Sequence, residues 1–128
     1  MMPQVGARHE VSLVVGDEHL AEKFGAPGVR VLGTPIMIGL MERAAFELAQ
    51  RDAEPGMSTV GVEVRVRHLA ATPVGDVVRA SAELMEVDGR RLVFRVSAYD
   101  SKRLIGEGTH ERMMVNLQKF LDRLSQDR

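Results

Sequence analysis

Two ionisable side chains, Glu42 and His68, interrupt otherwise apolar patterns and could carry acid–base or nucleophilic chemistry. On a helix, the polar side chains near Glu42 gather on one narrow stripe, and Glu42 lies outside it. No residue three or four places from Glu42 is a cation, so no local ion pair can neutralise it. A carboxylate on an apolar face is costly to bury and is usually retained for a reason. Glu42 therefore either has a chemical role or meets a distant arginine or a gap in the packing, and the pattern leaves both open.

His68 ends a stretch in which every second residue is apolar. Strand alternation places it on the same face as the four preceding valines, Val60, Val62, Val64 and Val66. That face is expected to pack against the helix that carries Glu42. A single buried histidine is most often a hydrogen-bonded core residue, but a carboxylate and an imidazole in one dry pocket can also act as an acid–base or nucleophile–acid pair. Thr34, at the start of the helix, adds a hydroxyl and free N–H groups that could hold an oxyanion.

The elements that position these residues are predicted from periodicity and turn residues. Thr34 is expected to cap the central helix and Pro35 to occupy its first position, which predicts a helix over residues 35–51. We expect a loose terminus over about residues 1–7, a lid-like loop over about 25–33 and a short terminal helix over about 117–124. Strands are expected over residues 9–15, 59–69, 77–87, 91–100 and 104 to about 117, with a short helical piece over 18–24.

This order of elements predicts an α+β fold in a single domain over residues 1–128. Strands joined by short turns should be antiparallel neighbours, which gives a meander. A mostly apolar helix has one suitable place in such a fold, along the concave face of the sheet. A single sheet around one helix leaves open edges, and pairing with a second copy is a common remedy.

Composition excludes several classes of function. The chain has 17 basic and 18 acidic residues, a formal net charge of −1, so nucleic acid is not an expected partner. It has no cysteine, and its four histidines show no metal-ligand spacing, so no metal site is expected. The stretch Gly106-Glu107-Gly108 lies within a strand pattern and lacks the helix that a nucleotide loop requires. No apolar run is long enough to cross a membrane and no signal peptide is evident, so a cytoplasmic location away from membranes is expected.

Four stretches of the chain resemble the fluoroacetyl-CoA thioesterase-like family of hotdog-fold proteins. The resemblance extends from about Val31 to about Phe120. It implies a hotdog fold, a homodimer or a higher homo-oligomer, and hydrolysis of short acyl-CoA thioesters without a metal ion. Coenzyme A is then part of the substrate, and no separate cofactor is implied. The stretches are Leu32-Gly33-Thr34-Pro35-Ile36-Met37-Ile38-Gly39-Leu40-Met41-Glu42, Val66-Arg67-His68-Leu69-Ala70-Ala71-Thr72-Pro73, Gly89-Arg90-Arg91-Leu92 and Ile105-Gly106-Glu107-Gly108-Thr109-His110-Glu111-Arg112.

The resemblance also implies a set of site residues. The catalytic threonine, glutamate and histidine of the family fall on Thr34, Glu42 and His68, and Gly61 and Arg112 match two further residues that line the site. Glu42 would attack the thioester carbonyl or activate a water molecule that does so. His68 would manage the protons of the water or of the thiolate leaving group.

The sequence departs from the family pattern in the lid-like loop. The fluoroacetyl-specific enzyme has phenylalanines there, whereas residues 25–30 of this chain read Gly-Ala-Pro-Gly-Val-Arg, with Phe24 as the only aromatic residue nearby. Selectivity for fluoroacetyl is therefore not predicted, and the acyl group stays open. Two alternatives to a thioesterase also remain, a non-catalytic acyl-CoA-binding or partner-binding hotdog module and an enoyl-CoA hydratase, although no Asp and His pair suited to hydration is evident.

Overall fold

Five antiparallel strands form one sheet in the computed structural model, which describes residues 4–128. Their spatial order is β1-β3-β4-β5-β2. A long helix, α1, packs against the sheet, and a shorter helix, α2, follows the last strand directly. The α+β class predicted from the sequence is confirmed. The elements are β1 (Arg8–Val14), 3₁₀ turns at Asp17–His19 and Ala21–Phe24, α1 (Thr34–Gln50), β2 (Met57–His68), β3 (Val77–Asp88), β4 (Arg91–Tyr99), β5 (Leu104–Asn116) and α2 (Leu117–Gln126).

The core lies between α1 and the inner face of the sheet. Small side chains, Ala44 and Ala45 on α1 and Ala80 and Ala82 on β3, are fully buried and let the helix approach the strands closely. Larger buried side chains fill the remaining space, as interior packing requires; they include Leu20, Leu32, Met37, Met41, Leu48, Leu84, Leu92, Phe94 and Ile105. No helix among the described residues is long and apolar enough to cross a bilayer.

The start of α1 differs from the prediction by one residue. Gly33 is the N-cap, Thr34 is the first helical residue, and no side chain caps the helix. The hydroxyl of Thr34 is bonded to His68 instead. The predicted loose terminus is also wrong for residues 6 and 7, because Gly6 and Ala7 form backbone hydrogen bonds with Leu84 of β3. Residues 1–3 of that prediction lie outside the described residues.

The segment between β2 and β3 is a crossover and not the predicted meander turn. β2 lies at one edge of the sheet, and β4 and β5 separate it from β3. Within residues 69–76, the Thr72 carbonyl accepts a hydrogen bond from Leu32 N, and Gly75 N donates one to the Val15 carbonyl. These bonds join the segment to the chain before α1 and to the residue after β1. A short segment rich in proline and glycine predicts a turn from sequence alone. The long-range hydrogen bonds show that this segment instead crosses the end of the sheet.

A β-bulge at Val62 divides β2 into two halves with opposite alternation. Gly61 is opposite Arg112 of β5 and Glu63 is opposite Glu111, so Val62 is an extra residue. Before the bulge the odd positions face inward, and Thr59 is buried. After it the even positions face inward, including His68. The predicted inward face is therefore confirmed for Val66 and His68, which are partly buried, and wrong for Val60 and Val62. Val64 shares the inward face by its register but is 37% exposed.

Gly108 of β5 is a point at which the sheet tolerates no side chain. A Cβ atom built there would overlap the carbonyl oxygen of Arg65 and come within 2.7 Å of the Val66 Cα atom, both in the backbone of β2. We expect Gly108→Ala to lower the free energy of unfolding by at least about 2 kcal/mol, because two strands must separate to admit the methyl group. Urea unfolding measures this loss. Thr109→Ala, an exposed change on the same strand, should cost less than about 1 kcal/mol, and equal losses in the two variants would contradict the assignment.

Candidate active site

Thr34 and His68 meet where the first turn of α1 touches the end of β2. Thr34 Oγ1 and His68 Nδ1 are 2.8 Å apart and share a hydrogen bond. Both residues line an open cleft of about 370 Å³. The other ring nitrogen, His68 Nε2, is inaccessible to water and has no partner with full hydrogen-bond geometry among the described residues, although the Ala70 backbone lies close enough to act on the ring. Buried polar atoms are nearly always fully paired, so a poorly paired ring nitrogen in a residue that lines a cleft is unusual and points to a functional role.

Burial lowers the pKa of His68 below its usual value near 6.5. The backbone of Ala70 acts in the opposite direction but does not cancel the effect. The imidazole is therefore neutral at pH 7 and can accept a proton. This is the state in which a histidine serves as a general base or relays a proton.

A second group of predicted site residues lies farther along α1. Glu42 Oε2 is 3.7 Å from Arg112 Nη1, an ion pair longer than a hydrogen bond. The Glu42 side chain is 43% exposed and that of Arg112 only 8%. Glu42 thus meets a distant arginine, as the less specific interpretation of its position allowed, but its carboxylate stays open to solvent.

Gly61 provides the space in front of this carboxylate. A Cβ atom at position 61 would come within 2.8 Å of Glu42 Oε2 and 3.4 Å of Arg112 Nη1. Any side chain would therefore crowd the charged pair, and Gly61 itself is exposed. The absence of a side chain leaves the carboxylate accessible to a small reactant.

The five predicted residues thus form two groups within one protomer. Glu42 lies eight residues after Thr34 on α1, about 12 Å along the helix axis. Within residues 4–128, no hydrogen bond or ion pair joins Glu42 to Thr34 or His68. The roles of these residues, and of Gly61 and Arg112, stay predictions.

Sequence reasoning missed two residues that contact Arg112. Thr59 and His110 both form hydrogen bonds with its guanidinium. Strand alternation could have placed His110 and Arg112 on one face of β5, because they are two residues apart. No local signal links Thr59 to Arg112, which is 53 residues away.

The lid-like loop, residues 25–33, folds back on the chain before it. Ala21 N donates to the Val31 carbonyl at 2.8 Å, and Glu22 N donates to the Val29 carbonyl at 3.1 Å. Arg30 forms ion pairs with Glu22 and Asp17 that hold the loop from outside. The cleft beside Thr34 has aliphatic walls, to which Val29, Val31, Leu32, Leu69 and Ala70 contribute. The Phe24 ring would lie 3.1 Å from a Cβ atom placed at Gly33, and Phe24 is not among the residues that line the cleft.

Comparisons with known proteins agree on one family. The family model described as FlK, fluoroacetyl-CoA-specific thioesterase, matches residues 15–118. A fluoroacetyl-CoA thioesterase from Streptantibioticus cattleyicolor is 48% identical over 90 residues, which are 70% of this chain and 65% of that protein. The aligned part of the chain therefore spans less than two thirds of that relative's length.

Solved structures extend the likeness over nearly the whole chain. A structure of the fluoroacetyl-CoA thioesterase FlK superposes with a TM-score of 0.90 at 38% identity and covers 98% of this chain and 97% of that one. A hot-dog-like protein from Thermanaerovibrio acidaminovorans gives a TM-score of 0.88 at 23% identity, with 96% and 91% of the two chains covered, and shows the fold alone. The hotdog fold that the sequence resemblance implied is confirmed.

The two inward-facing histidines make stability depend on pH. Burial lowers the pKa of both His68 and His110, so below about pH 6.5 the unfolded chain binds protons that the folded chain does not. The free energy of unfolding should therefore fall as pH drops from 7.5 to 5.5, by up to about 1.4 kcal/mol per pH unit for each histidine. Urea unfolding at several pH values measures this slope, and His68→Gln should reduce it. A flat profile, or an unchanged slope in the variant, would contradict the assignment.

Proposed function

Because this chain belongs to the fluoroacetyl-CoA-specific thioesterase family, we propose that it hydrolyses acyl-CoA thioesters of short or small acyl groups to the free acid and CoA, without a metal ion or separate cofactor. The observation that carries the proposal is the hydrogen bond between Thr34 and His68, two residues that line an open cleft. A cytoplasmic location, expected from the sequence, belongs to the same proposal.

The catalytic step uses Glu42 as a nucleophile or as a general base. In the first route its carboxylate attacks the thioester carbonyl, the C–S bond breaks, and water then hydrolyses the mixed anhydride. In the second route Glu42 takes a proton from a water molecule that attacks the carbonyl directly. In both routes the thiolate finally gains a proton that originates from water, and the neutral His68 relays it. The Gly61 N–H group is the proposed donor to the oxyanion.

We further propose that two copies of the chain complete the site. β2 is an edge strand that pairs only with β5 among the described residues, and Val62 on it is 54% exposed. Antiparallel pairing of β2 with its copy about a twofold axis would set the Gly61 half of one strand opposite the His68 half of the other. The group around Glu42 would then approach the Thr34–His68 pair of the partner subunit.

Thiol release from a panel of acyl-CoAs tests the activity. We expect the aliphatic cleft to favour short linear or branched acyl groups over aromatic ones, with no preference for fluoroacetyl. Glu42→Gln should lower turnover of the best substrate by at least about 100-fold, because the amide can neither attack nor accept a proton. Glu47→Gln, on the same helix but bonded to His9 and Arg43, should retain activity. Parental turnover in the Glu42 variant would refute the mechanism.

The same assay separates the alternatives. A non-catalytic binding module would bind CoA esters in calorimetry but release no thiol with any acyl group. An enoyl-CoA hydratase would hydrate crotonyl-CoA without releasing thiol. Either result would replace the thioesterase proposal.

Light scattering coupled to gel filtration tests the dimer. We expect twice the chain mass of 14.1 kDa or a larger even multiple. Val62→Lys should weaken the association, because a lysine on an edge strand opposes pairing with another strand. Val14→Lys, on the edge strand β1 at the other side of the sheet, is the matched control and should not change the mass. A monomeric parent would overturn the two-copy site.

A further inference from the structure

We infer that His110 and Thr59 are positioning residues that fix the Arg112 guanidinium beside the Glu42 carboxylate. The inference rests on the proposed function for its effect on turnover, but its structural part can be tested separately. Neither residue is one of the three predicted catalytic residues, Thr34, Glu42 and His68. Both act through Arg112 and do not need to touch the substrate.

All three nitrogen atoms of the Arg112 guanidinium donate hydrogen bonds to neighbouring residues. Its Nε atom donates to Thr59 Oγ1 at 2.8 Å, and Nη2 donates to the Thr59 carbonyl at 3.0 Å. Its Nη1 atom donates to His110 Nε2 at 3.2 Å and lies 3.7 Å from Glu42 Oε2. Its Cζ atom lies 5.6 Å from the centre of the Phe46 ring, in the range of a cation–π contact. A planar guanidinium held at three hydrogen bonds has little freedom to rotate, so the side of Nη1 that faces Glu42 is fixed.

His110 can accept this hydrogen bond because its other nitrogen is already occupied. Nδ1 is 2.8 Å from the Glu63 carbonyl, which only accepts hydrogen bonds, so the proton is on Nδ1. Nε2 of the neutral ring is then an acceptor for Arg112 Nη1. Burial, and to a smaller extent the charge of Arg112, lower the pKa of His110, while the hydrogen bond to the Glu63 carbonyl and the carboxylate of Glu42 act in the opposite direction. The net shift keeps the ring in the neutral state that this bond requires.

The bulge at Val62 links this arrangement to the backbone of β2. With Val62 inserted, Gly61 is opposite Arg112 and the Glu63 carbonyl bonds to the His110 ring. A bulge leaves ladder groups unpaired and redirects them, which is why bulges are common next to active sites. The position of Gly61 opposite Arg112 and the direction of the Glu63 carbonyl toward His110 thus both depend on the same inserted residue.

Two variants of His110 separate positioning from a purely structural role. The amide nitrogen of Asn can replace Nδ1 as donor to the Glu63 carbonyl but provides no acceptor for Arg112. The amide oxygen of Gln can replace Nε2 as that acceptor but leaves the Glu63 carbonyl unbonded. We expect His110→Asn to lower kcat for the best acyl-CoA at least 10-fold with KM changed less than threefold, and His110→Gln to keep more activity despite a lower melting temperature. Loss of activity in parallel with loss of stability would overturn the inference.

Thr59 gives an independent pair of variants. Thr59→Val removes the hydroxyl that accepts from Arg112 Nε while keeping the shape of the side chain, and Thr59→Ser restores the hydroxyl. We expect a kcat loss of at least fivefold in the valine variant and recovery to within twofold of the parent in the serine variant. Equal activity of the parent and the valine variant would contradict the role of Thr59.

Hydrogen exchange at the Arg112 side chain provides a readout that needs no turnover. The Nε–H signal in nitrogen-15 NMR should exchange slowly with water in the parent, at least 10-fold faster in Thr59→Val, and measurably faster in His110→Asn than in His110→Gln. If the parent hydrolyses no acyl-CoA but shows this pattern, the proposed function fails and the positioning role stands. Unchanged exchange in all variants overturns the positioning role even in an active enzyme.

Discussion

The burial of one positive charge, that of Arg112, constrains the geometry of the site. A guanidinium removed from water must keep its hydrogen-bond donors paired, because an unpaired buried charge costs several kcal/mol. Thr59 and His110 provide the acceptors, and they come from the two strands that also bring Gly61 opposite Arg112. The register that pairs β2 with β5 is therefore also what holds the positive charge of Arg112 beside Glu42.

This constraint explains how a half-exposed carboxylate can lie on an otherwise apolar face of α1. Arg112 offers Glu42 a charge at 3.7 Å without a direct hydrogen bond, so the carboxylate is stabilised but its oxygens are not saturated. Gly61 keeps the space before it open. A carboxylate bound by two short hydrogen bonds to arginine would be a poorer nucleophile or base, because its lone pairs would already be engaged. The longer ion pair thus leaves the carboxylate lone pairs available to act as nucleophile or base, whereas a tight one would not.

Local patterns in the sequence predicted the helix and the strands and identified the two ionisable residues that do not fit those patterns. They did not predict the pairings between residues far apart in the chain. Helix α1 and the five strands follow from periodicity, and Glu42 and His68 were recognisable because each violates the pattern around it. The bulge at Val62 was not recognisable from the sequence, because alternating valines predict a regular strand whether or not one of them is an inserted residue. Thr59 was missed since its importance depends entirely on an arginine 53 residues away. The crossover after β2 was missed because Pro73 and Gly75 are typical of a turn in either topology.

Two histidines that face the core differ in what their ring nitrogens contact. Both rings point inward, and burial lowers the pKa of both. His110 has partners at both nitrogens, one a backbone carbonyl and one a guanidinium, so nothing is left with which it could bind a reactant. His68 shares its Nδ1 hydrogen bond with the hydroxyl of Thr34, and both of these residues line the cleft. Because the Thr34–His68 bond lies in the lining of an open cleft, a molecule in that cleft can approach this pair, whereas the partners of His110 enclose its ring.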